Sequence, residues 1–193
     1  VFRNAIFESS LLGTGIIKGP LNFYKRVHKW SPDEETGQRS YEPYEKNVPR
    51  IETVSCWDFH PDPAATSIED CEYVIQRHRL NKQQLRALIK RPHFDAAAIE
   101  EALYNGPNYS DKYYEDTIRD DETQPNTSEN RYEVLEYWGV LDAKFARDVG
   151  LEIDESMSEF DQVQINAWVT GNCVLRCVLN PFKPARIPYQ VFS

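Results

Sequence analysis

Residues 54–91, VSCWDFHPDPAATSIEDCEYVIQRHRLNKQQLRALIKR, carry the strand, turn and helix signals that decide the fold. Side chains alternate from residue 51 up to the HPDP turn, which predicts a strand ended by prolines that cannot serve a central ladder. A second alternating run over 72–80 predicts another strand. Asn81 is a good N-cap for a following helix. The segment therefore predicts a sheet with a helix packed against it.

Similar signals place the remaining elements. They predict a helix over 2–12 that ends at Gly13, a turn or bulge at Gly19-Pro20, an exposed hairpin tip or mobile loop over 31–40, a short helix capped by Asp95, a strand over 131–142, a helix at 143–151 and a hairpin over 164–179. We expect an α+β fold, with a mixed or antiparallel sheet or a small barrel-like β core and two to four helices packed on one side.

The expected core consists of apolar residues on the inner faces of these elements: Ile16, Ile17, Trp57, Phe59, Tyr73, Ile75, Leu85, Leu88, Val134, Leu135, Trp138, Ile165, Trp168, Val174 and Leu175. With 193 residues and 40% hydrophobic content, the chain is expected to form a single domain over 1–193, with acidic insertions near 107–130 and 143–160. It begins with Val1 and not with an initiator Met, so we expect a fragment of a longer protein.

Charge is distributed unevenly along the chain. The net charge is −9; residues 1–100 hold 14 basic and 14 acidic side chains, whereas residues 101–193 hold 8 and 17. An acidic surface repels phosphates, so tight static binding of nucleic acid is disfavoured. The charge is still compatible with a protein past which DNA slides without binding tightly. Because no apolar run approaches the roughly 20 residues of a membrane span, no membrane partner is expected.

The four cysteines favour a reducing compartment. Cys56, Cys71, Cys173 and Cys177 are too sparse for a disulfide scaffold and lack paired CxxC knuckles for zinc. We interpret them as buried thiols.

Catalytic motifs are missing from the sequence. It contains no GxxxxGK[ST], no GxGxxG after a strand, no HExxH and no GxSxG, so we expect no catalytic residues, no cofactor and no metal site. One alternative is a metal-dependent hydrolase in which Asp58, His60 and Asp62 share a strand face with help from a remote acid such as Glu72. The prolines of HPDP break that regularity, and an Asp in such a turn usually accepts hydrogen bonds from local amides.

The basic side chains concentrate in one stretch, which contains Arg77, His78, Arg79, Lys82, Arg86, Lys90 and Arg91. These residues predict either a patch for an acidic neighbouring subunit or a phosphate backbone, or a solvated helix face with i,i+4 pairs. In a ring, such a patch would meet the acidic second half of the next copy in a head-to-tail contact.

Four segments, taken in order, resemble the wing region of tailed-phage portal proteins, particularly those of short-tailed phages. They are LLGTGIIKGPL (11–21), the segment at 54–89, RYEVLEYWGVLD (131–142) and INAWVTGNCVLRCVLNPFKPARIPYQVF (165–192). In the first segment the likeness is a helix that enters a Gly-marked strand, and in the second it is a strand, a D-P turn, a second strand and a capped helix. The third segment has an E-x-W-G strand. The fourth has a hairpin followed by a proline-rich run. Residues 107–130 and 143–160 match no portal pattern.

The resemblance implies a structural component of a portal ring, the head-to-tail connector through which double-stranded DNA is packaged and released. Such rings usually contain twelve copies and occupy one capsid vertex of the virion, after assembly in the bacterial cytoplasm. Implied partners are further copies of the chain and, through the full-length protein, capsid, scaffolding, terminase and tail or head-completion proteins. DNA would pass mostly outside this wing element. A generic protein-interaction module with a β core is a further alternative.

Overall fold

The computed structural model describes residues 1–32, 39–110, 130–154 and 156–192. Most of the predicted acidic insertion near 107–130 lies outside these residues, as does the tip of the predicted hairpin over 31–40. Contacts between Cα atoms divide the chain into two compact units, one formed by Val1–Cys56 with Pro188–Ser193 and the other by Trp57–Ile187. We describe each unit by itself. No helix of the described residues has the length and apolar character that a membrane crossing requires.

The elements of the described residues are, in chain order, α1 (Phe2–Leu12), β1 (Gly15–Pro32), β2 (Arg39–Val54), a 3-10 turn (Cys56–Asp58), β3 (Phe59–Pro61), β4 (Tyr73–Leu80), α2 (Lys82–Ala87), a second 3-10 turn (Leu88–Lys90), α3 (Ala96–Asn105), β5 (Tyr132–Asp142), α4 (Ala143–Asp148), β6 (Gln162–Thr170), β7 (Cys173–Leu179) and β8 (Tyr189–Phe192). All described strand pairs are antiparallel, in two open sheets. The predicted α+β class is confirmed.

The first unit begins with the predicted helix. Helix α1 ends at Gly13, which has a φ of 80° and donates its N–H to the Ser9 carbonyl at 2.9 Å. A left-handed residue at this position favours glycine because it has no Cβ. Two residues later the strand runs so close to the helix that a Cβ on Gly15 would lie 2.6 Å from the carbonyl oxygen of Ala5. Glycine at 15 therefore permits the sharp corner between helix and strand.

The sheet of the first unit has the order β2-β1-β8. Its register shifts between Lys18 and Leu21, so the predicted irregularity at Gly19-Pro20 is a bulge. Strand β8 pairs only with residues 15–18 of β1. Beyond the bulge, residues 21–32 of β1 and 39–50 of β2 form a two-stranded arm, which we call the ribbon.

The second unit is built on a five-stranded sheet of order β3-β4-β5-β6-β7. The prediction of one continuous strand from residue 51 to the HPDP turn is wrong. Strand β2 ends at Val54, and a 3-10 turn over Cys56–Asp58 comes before the short strand β3. This turn places Asp58 beside two arginines of β4.

Both predicted helix caps are confirmed. The Asn81 side chain accepts the N–H of Gln84 at 2.8 Å, and the Gln84 side chain accepts the N–H of Asn81 at 2.9 Å, which completes a capping box. Asp95 accepts the N–H of Ala97 at 2.8 Å at the start of α3. These side chains satisfy amide groups that the helix backbone leaves without partners.

Helices of the second unit lie on both faces of its sheet, so the expectation that they pack on one side is wrong. Val134 and Trp168 belong to the core that α2 and α3 cover. Ile165 and Ala167 point to the opposite face, because successive strand residues alternate, and they form a second core with Ala146 of α4.

Most of the expected core residues are buried. The exceptions are Trp57, Leu135 and Val174, which are 43%, 36% and 43% exposed, while Tyr73 and Ile75 are half-buried. Trp57 lies in the 3-10 turn and not in a strand. Leu135 and Val174 lie next to buried residues of their strands, so strand alternation turns them outward.

Candidate functional site

Asp58, at the end of the first 3-10 turn, forms ion pairs with two arginines of strand β4. Arg77 approaches its Oδ1 with Nη2 at 2.8 Å and Nε at 2.9 Å, and Arg79 approaches Oδ2 with Nη2 at 3.3 Å. The Arg77 guanidinium also lies 5.6 Å from the centre of the Tyr109 ring. Because Arg77 is only 3% exposed, the carboxylate of Asp58 compensates a buried positive charge.

The structure gives the residues of the alternative metal site other roles. Asp58 is engaged by two guanidinium groups, and His60 is paired with Ile75 between β3 and β4. Asp62 accepts the N–H of Ala64 at 2.9 Å, which is the local hydrogen bond expected of an aspartate in this turn. Among the residues that the structure describes, no group of three or more His, Cys, Asp or Glu side chains is arranged to hold a metal.

A second polar cluster surrounds Glu136 inside the five-stranded sheet. Its carboxylate accepts the indole N–H of Trp138 at 2.7 Å, is bonded to Nε2 of His78 at 2.8 Å and receives the amide of Asn166 at 3.4 Å. Glu136 and Asn166 are 2% and 1% exposed. A carboxylate this deeply buried requires such partners, so the cluster joins strands β4, β5 and β6 through their side chains.

Aromatic rings extend this cluster towards strand β7. The His78 ring stacks on Trp168 with centroids 4.7 Å apart, Phe94 packs edge-on against the same indole, and Arg176 lies over Phe94. Burial lowers the pKa of Arg176, an effect that nearby Arg91 reinforces and Glu136 opposes. Within the described part of the chain, the buried Nε atoms of Trp168 and Arg176 have no hydrogen-bond partner.

The predicted basic concentration does not form one surface. Arg77 and Arg79 bind Asp58, His78 bonds to Glu136, and Arg86 lies 3.8 Å from Glu100 on α3. Lys82, Lys90 and Arg91 remain exposed around α2. Most of these charges are therefore used within the second unit.

The four cysteines are reduced thiols. Cys173 is buried and the other three are half-buried, so the expectation of burial is met fully at one position. Burial raises the pKa of the Cys173 and Cys177 thiols, which keeps them protonated and poorly reactive at neutral pH.

The ribbon of the first unit exposes both of its faces to solvent. Its large exposed side chains are Phe23, Tyr24, Trp30, Tyr41 and Tyr44. On one face, His28 is hydrogen-bonded to and stacked on Tyr41, which also packs against Trp30. The described ribbon carries six basic residues (Lys25, Arg26, Lys29, Arg39, Lys46 and Arg50) against Glu42 and Glu45.

Helix α1 presents a second uncovered apolar surface. Only Ala5 is buried in this helix, whereas Phe2, Ile6, Phe7 and Leu11 are each 59–68% exposed. Four large apolar side chains of α1 are therefore left to solvent.

No family model matches this chain, and no curated protein matches it.

Sequence reasoning missed both the Glu136 cluster and the ribbon's exposure. The signal for Glu136 was present, because the residue shares its strand face with Tyr132, Val134 and Trp138, all of which are buried. An acid on a face that is otherwise apolar and aromatic indicates a buried carboxylate that needs donors.

Proposed function

We propose that this chain is a structural element of a ring-forming phage portal, in its wing, and that its work is mechanical and not catalytic. Support comes first from the order of the four segments that resemble portals. They correspond to α1 running into β1, to the 3-10 turn, β3, β4 and α2, to β5, and to the β6–β7 hairpin with its proline-rich continuation. Three of the segments have the element types that the resemblance implies, whereas in the second a 3-10 turn and the short strand β3 stand where it implies a longer strand.

One observation carries the assembly part of the proposal: the first unit leaves an extended ribbon and an apolar helix face uncovered. Two-stranded ribbons are marginally stable in water when nothing packs on them. Neighbouring copies in a ring supply such a covering by burying the same surfaces in every subunit.

The buried charges of the second unit suit a rigid wall element. Asp58 with Arg77, and Glu136 with His78 and Asn166, link strands through side chains that are mostly buried. Buried networks of hydrogen bonds and ion pairs between strands restrain the register of a sheet. Charged side chains that are paired inside the sheet stabilise the fold, and fewer ionisable groups are then left for catalysis.

On this proposal the chain's main partner is itself, in a homo-oligomeric ring at the portal vertex of a virion that is assembled in the bacterial cytoplasm. Capsid, scaffolding, terminase and tail or head-completion proteins are partners of the full-length protein. Double-stranded DNA passes through the channel, mostly away from this element, in keeping with the net charge of −9.

Electron microscopy of the complete gene product tests the proposal. Purified full-length protein is expected to form closed rings with a central channel. Monomers or small open oligomers at high protein concentration would contradict a portal and favour an interaction module. Metal-dependent hydrolysis that is lost in His60→Ala would overturn the proposal in favour of the enzyme alternative.

A further inference from the structure

One face of the ribbon concentrates positive charge. Residues that are directly paired across two strands lie on the same face, and this face continues at every second residue. The pairs on the face are Leu21 with Arg50, Phe23 with Val48, Lys25 with Lys46, Val27 with Tyr44, and Lys29 with Glu42. It therefore carries four basic residues and one acid. We call it the basic face.

Two of these charges oppose each other directly. Lys25 and Lys46 are register partners, and both are exposed. Like charges directly opposite on one face of a sheet destabilise the pair of strands. On the other face of the ribbon, opposite charges are paired, because Arg26 lies directly across from Glu45. An acidic partner that reaches both lysines would relieve the repulsion on the basic face.

Apolar side chains accompany the charges on the basic face. Phe23 and Tyr44 are 44% and 47% exposed, and the Arg50 guanidinium lies 5.0 Å from the Phe23 ring centre while it also pairs with Glu52 at 3.1 Å. At about 3.3 Å per residue, the 12 residues of β1 in the ribbon extend about 40 Å, long enough for a substantial interface. The partner surface should be acidic and bear apolar groups.

The second unit offers such a surface around helix α4. Asp148, Glu152 and Glu159 are exposed there beside Phe145 and Phe160, which are 54% and 86% exposed. We call these five residues the acidic surface. The described residues of this unit (57–110, 130–154 and 156–187) hold 12 basic and 16 acidic side chains, an excess of acid that favours a basic partner.

Helix α4 also carries two bases, Lys144 and Arg147. Lys144 is exposed and offsets one of the three acids, whereas Arg147 is engaged by the backbone. Arg147 donates to the carbonyl of Met157 at 2.7 Å and to that of Asp154 at 3.4 Å. These two hydrogen bonds fix the guanidinium of Arg147 against the loop after α4. It is therefore not free to move and pair with the carboxylates of the acidic surface.

We infer that the basic face of the ribbon binds the acidic surface of a second copy of this chain. The two surfaces differ and are complementary in charge, so the contact is head-to-tail, the type that closes into a ring when the rotation allows. The inference rests on the proposed ring, and it identifies which surfaces of the copies meet.

Two charge-reversed chains test the inference by complementation. The ribbon variant is Lys25→Glu/Lys46→Glu, and the helix variant is Asp148→Lys/Glu152→Lys. Each alone opposes like charges at the contact, so its self-association constant in sedimentation should fall about 100-fold. An equimolar mixture should regain association as alternating chains, because the native ribbon meets the native acidic surface and the reversed ribbon meets the reversed surface, again with opposite charges.

A control matched to the ribbon variant carries the same change of net charge elsewhere. Lys82→Glu/Lys90→Glu alters two exposed lysines of the second unit and should self-associate as the unmodified chain does. Circular dichroism checks that each variant folds, and Lys25→Gln/Lys46→Gln replaces the ribbon variant if reversal unfolds it. Added salt should weaken the association of the unmodified chain, because the contact is electrostatic.

Several results would overturn the inference. These are an unmodified chain that stays monomeric at about 0.1 mM, a helix variant that still self-associates, and a mixture that remains monomeric. Binding of duplex DNA that only the ribbon variant loses, without self-association, would assign the basic face to phosphates. Full-length rings that persist in the ribbon variant would refute this contact alone, whereas absence of rings from the unmodified full-length protein would refute the proposed function.

Discussion

Glu136 and Trp138 are joined within one strand: the carboxylate of the first accepts the indole N–H of the second at 2.7 Å, with both side chains on the same buried face. His78 and Asn166 approach the same carboxylate from the neighbouring strands. The contact thus lies at the centre of the side-chain network that ties β4, β5 and β6 together.

Removing this carboxylate is expected to destabilise the second unit strongly. Glu136→Leu removes the buried carboxylate that Trp138 and His78 contact, while Asn166 keeps the Tyr137 carbonyl as an acceptor. The free energy of unfolding should fall by about 3–5 kcal/mol. Glu136→Gln, which keeps one acceptor oxygen, should cost less. Urea unfolding followed by tryptophan fluorescence measures both. The exposed Glu69→Leu is the control and should change stability by about 0.5 kcal/mol or less.

The ion pair of Asp58 allows a comparison of buried and exposed charge. Asp58→Ala leaves Arg77 buried beside a cavity and should cost about 3–5 kcal/mol. Glu52→Ala breaks the exposed pair with Arg50 and should cost at most about 1 kcal/mol. If both variants lost the same free energy of unfolding in urea, burial of Arg77 would not explain the strength of its ion pair with Asp58.

The fold was predictable where a local rule decides it. Asn81 with Gln84, Gly13 after α1 and the hairpin at Gly171 follow from capping and turn chemistry within a few residues. Asp58 was misplaced because its position depends on two arginines about 20 residues away in sequence. Strand alternation places Glu136 on a buried face, but its partners His78 and Asn166 are distant in sequence, so the cluster itself was not predictable.

The capping box at the start of α2 should contribute measurably. Asn81→Ala removes the acceptor for the Gln84 amide and is expected to lower the free energy of unfolding by about 1 kcal/mol. Asn81→Asp keeps that acceptor and should retain most of the stability. A loss equal to that of Asn81→Ala would show that the side-chain hydrogen bond does not stabilise the helix.

Tyr137 should make stability depend on alkaline pH. Burial raises its pKa above the ordinary value of 10.0, with Tyr73 and Glu72 acting in the same direction. The pKa of Tyr137 is therefore higher in the folded protein than in the unfolded chain. The stability that its protonated phenol contributes is fully present below about pH 10 and is lost as the pH rises through the folded pKa.

Tyr137→Phe removes that contribution. Its loss of stability between about pH 9 and pH 11 should be smaller than that of the unmodified chain. At neutral pH the variant should lose about 1 kcal/mol, because the phenol donates to the Val140 carbonyl at 2.8 Å. Urea unfolding at several pH values measures both effects, and identical alkaline slopes for the two proteins would refute the linkage.

Immunogold electron microscopy of virus particles tests the central claim most directly. Antibodies raised against this chain are applied to particles, and to particles opened at their vertices, from cells that carry the gene. The portal account predicts label at a single vertex of each capsid. Label at all vertices, over the whole shell or along the tail, or a complete absence of the chain from purified particles, would contradict it.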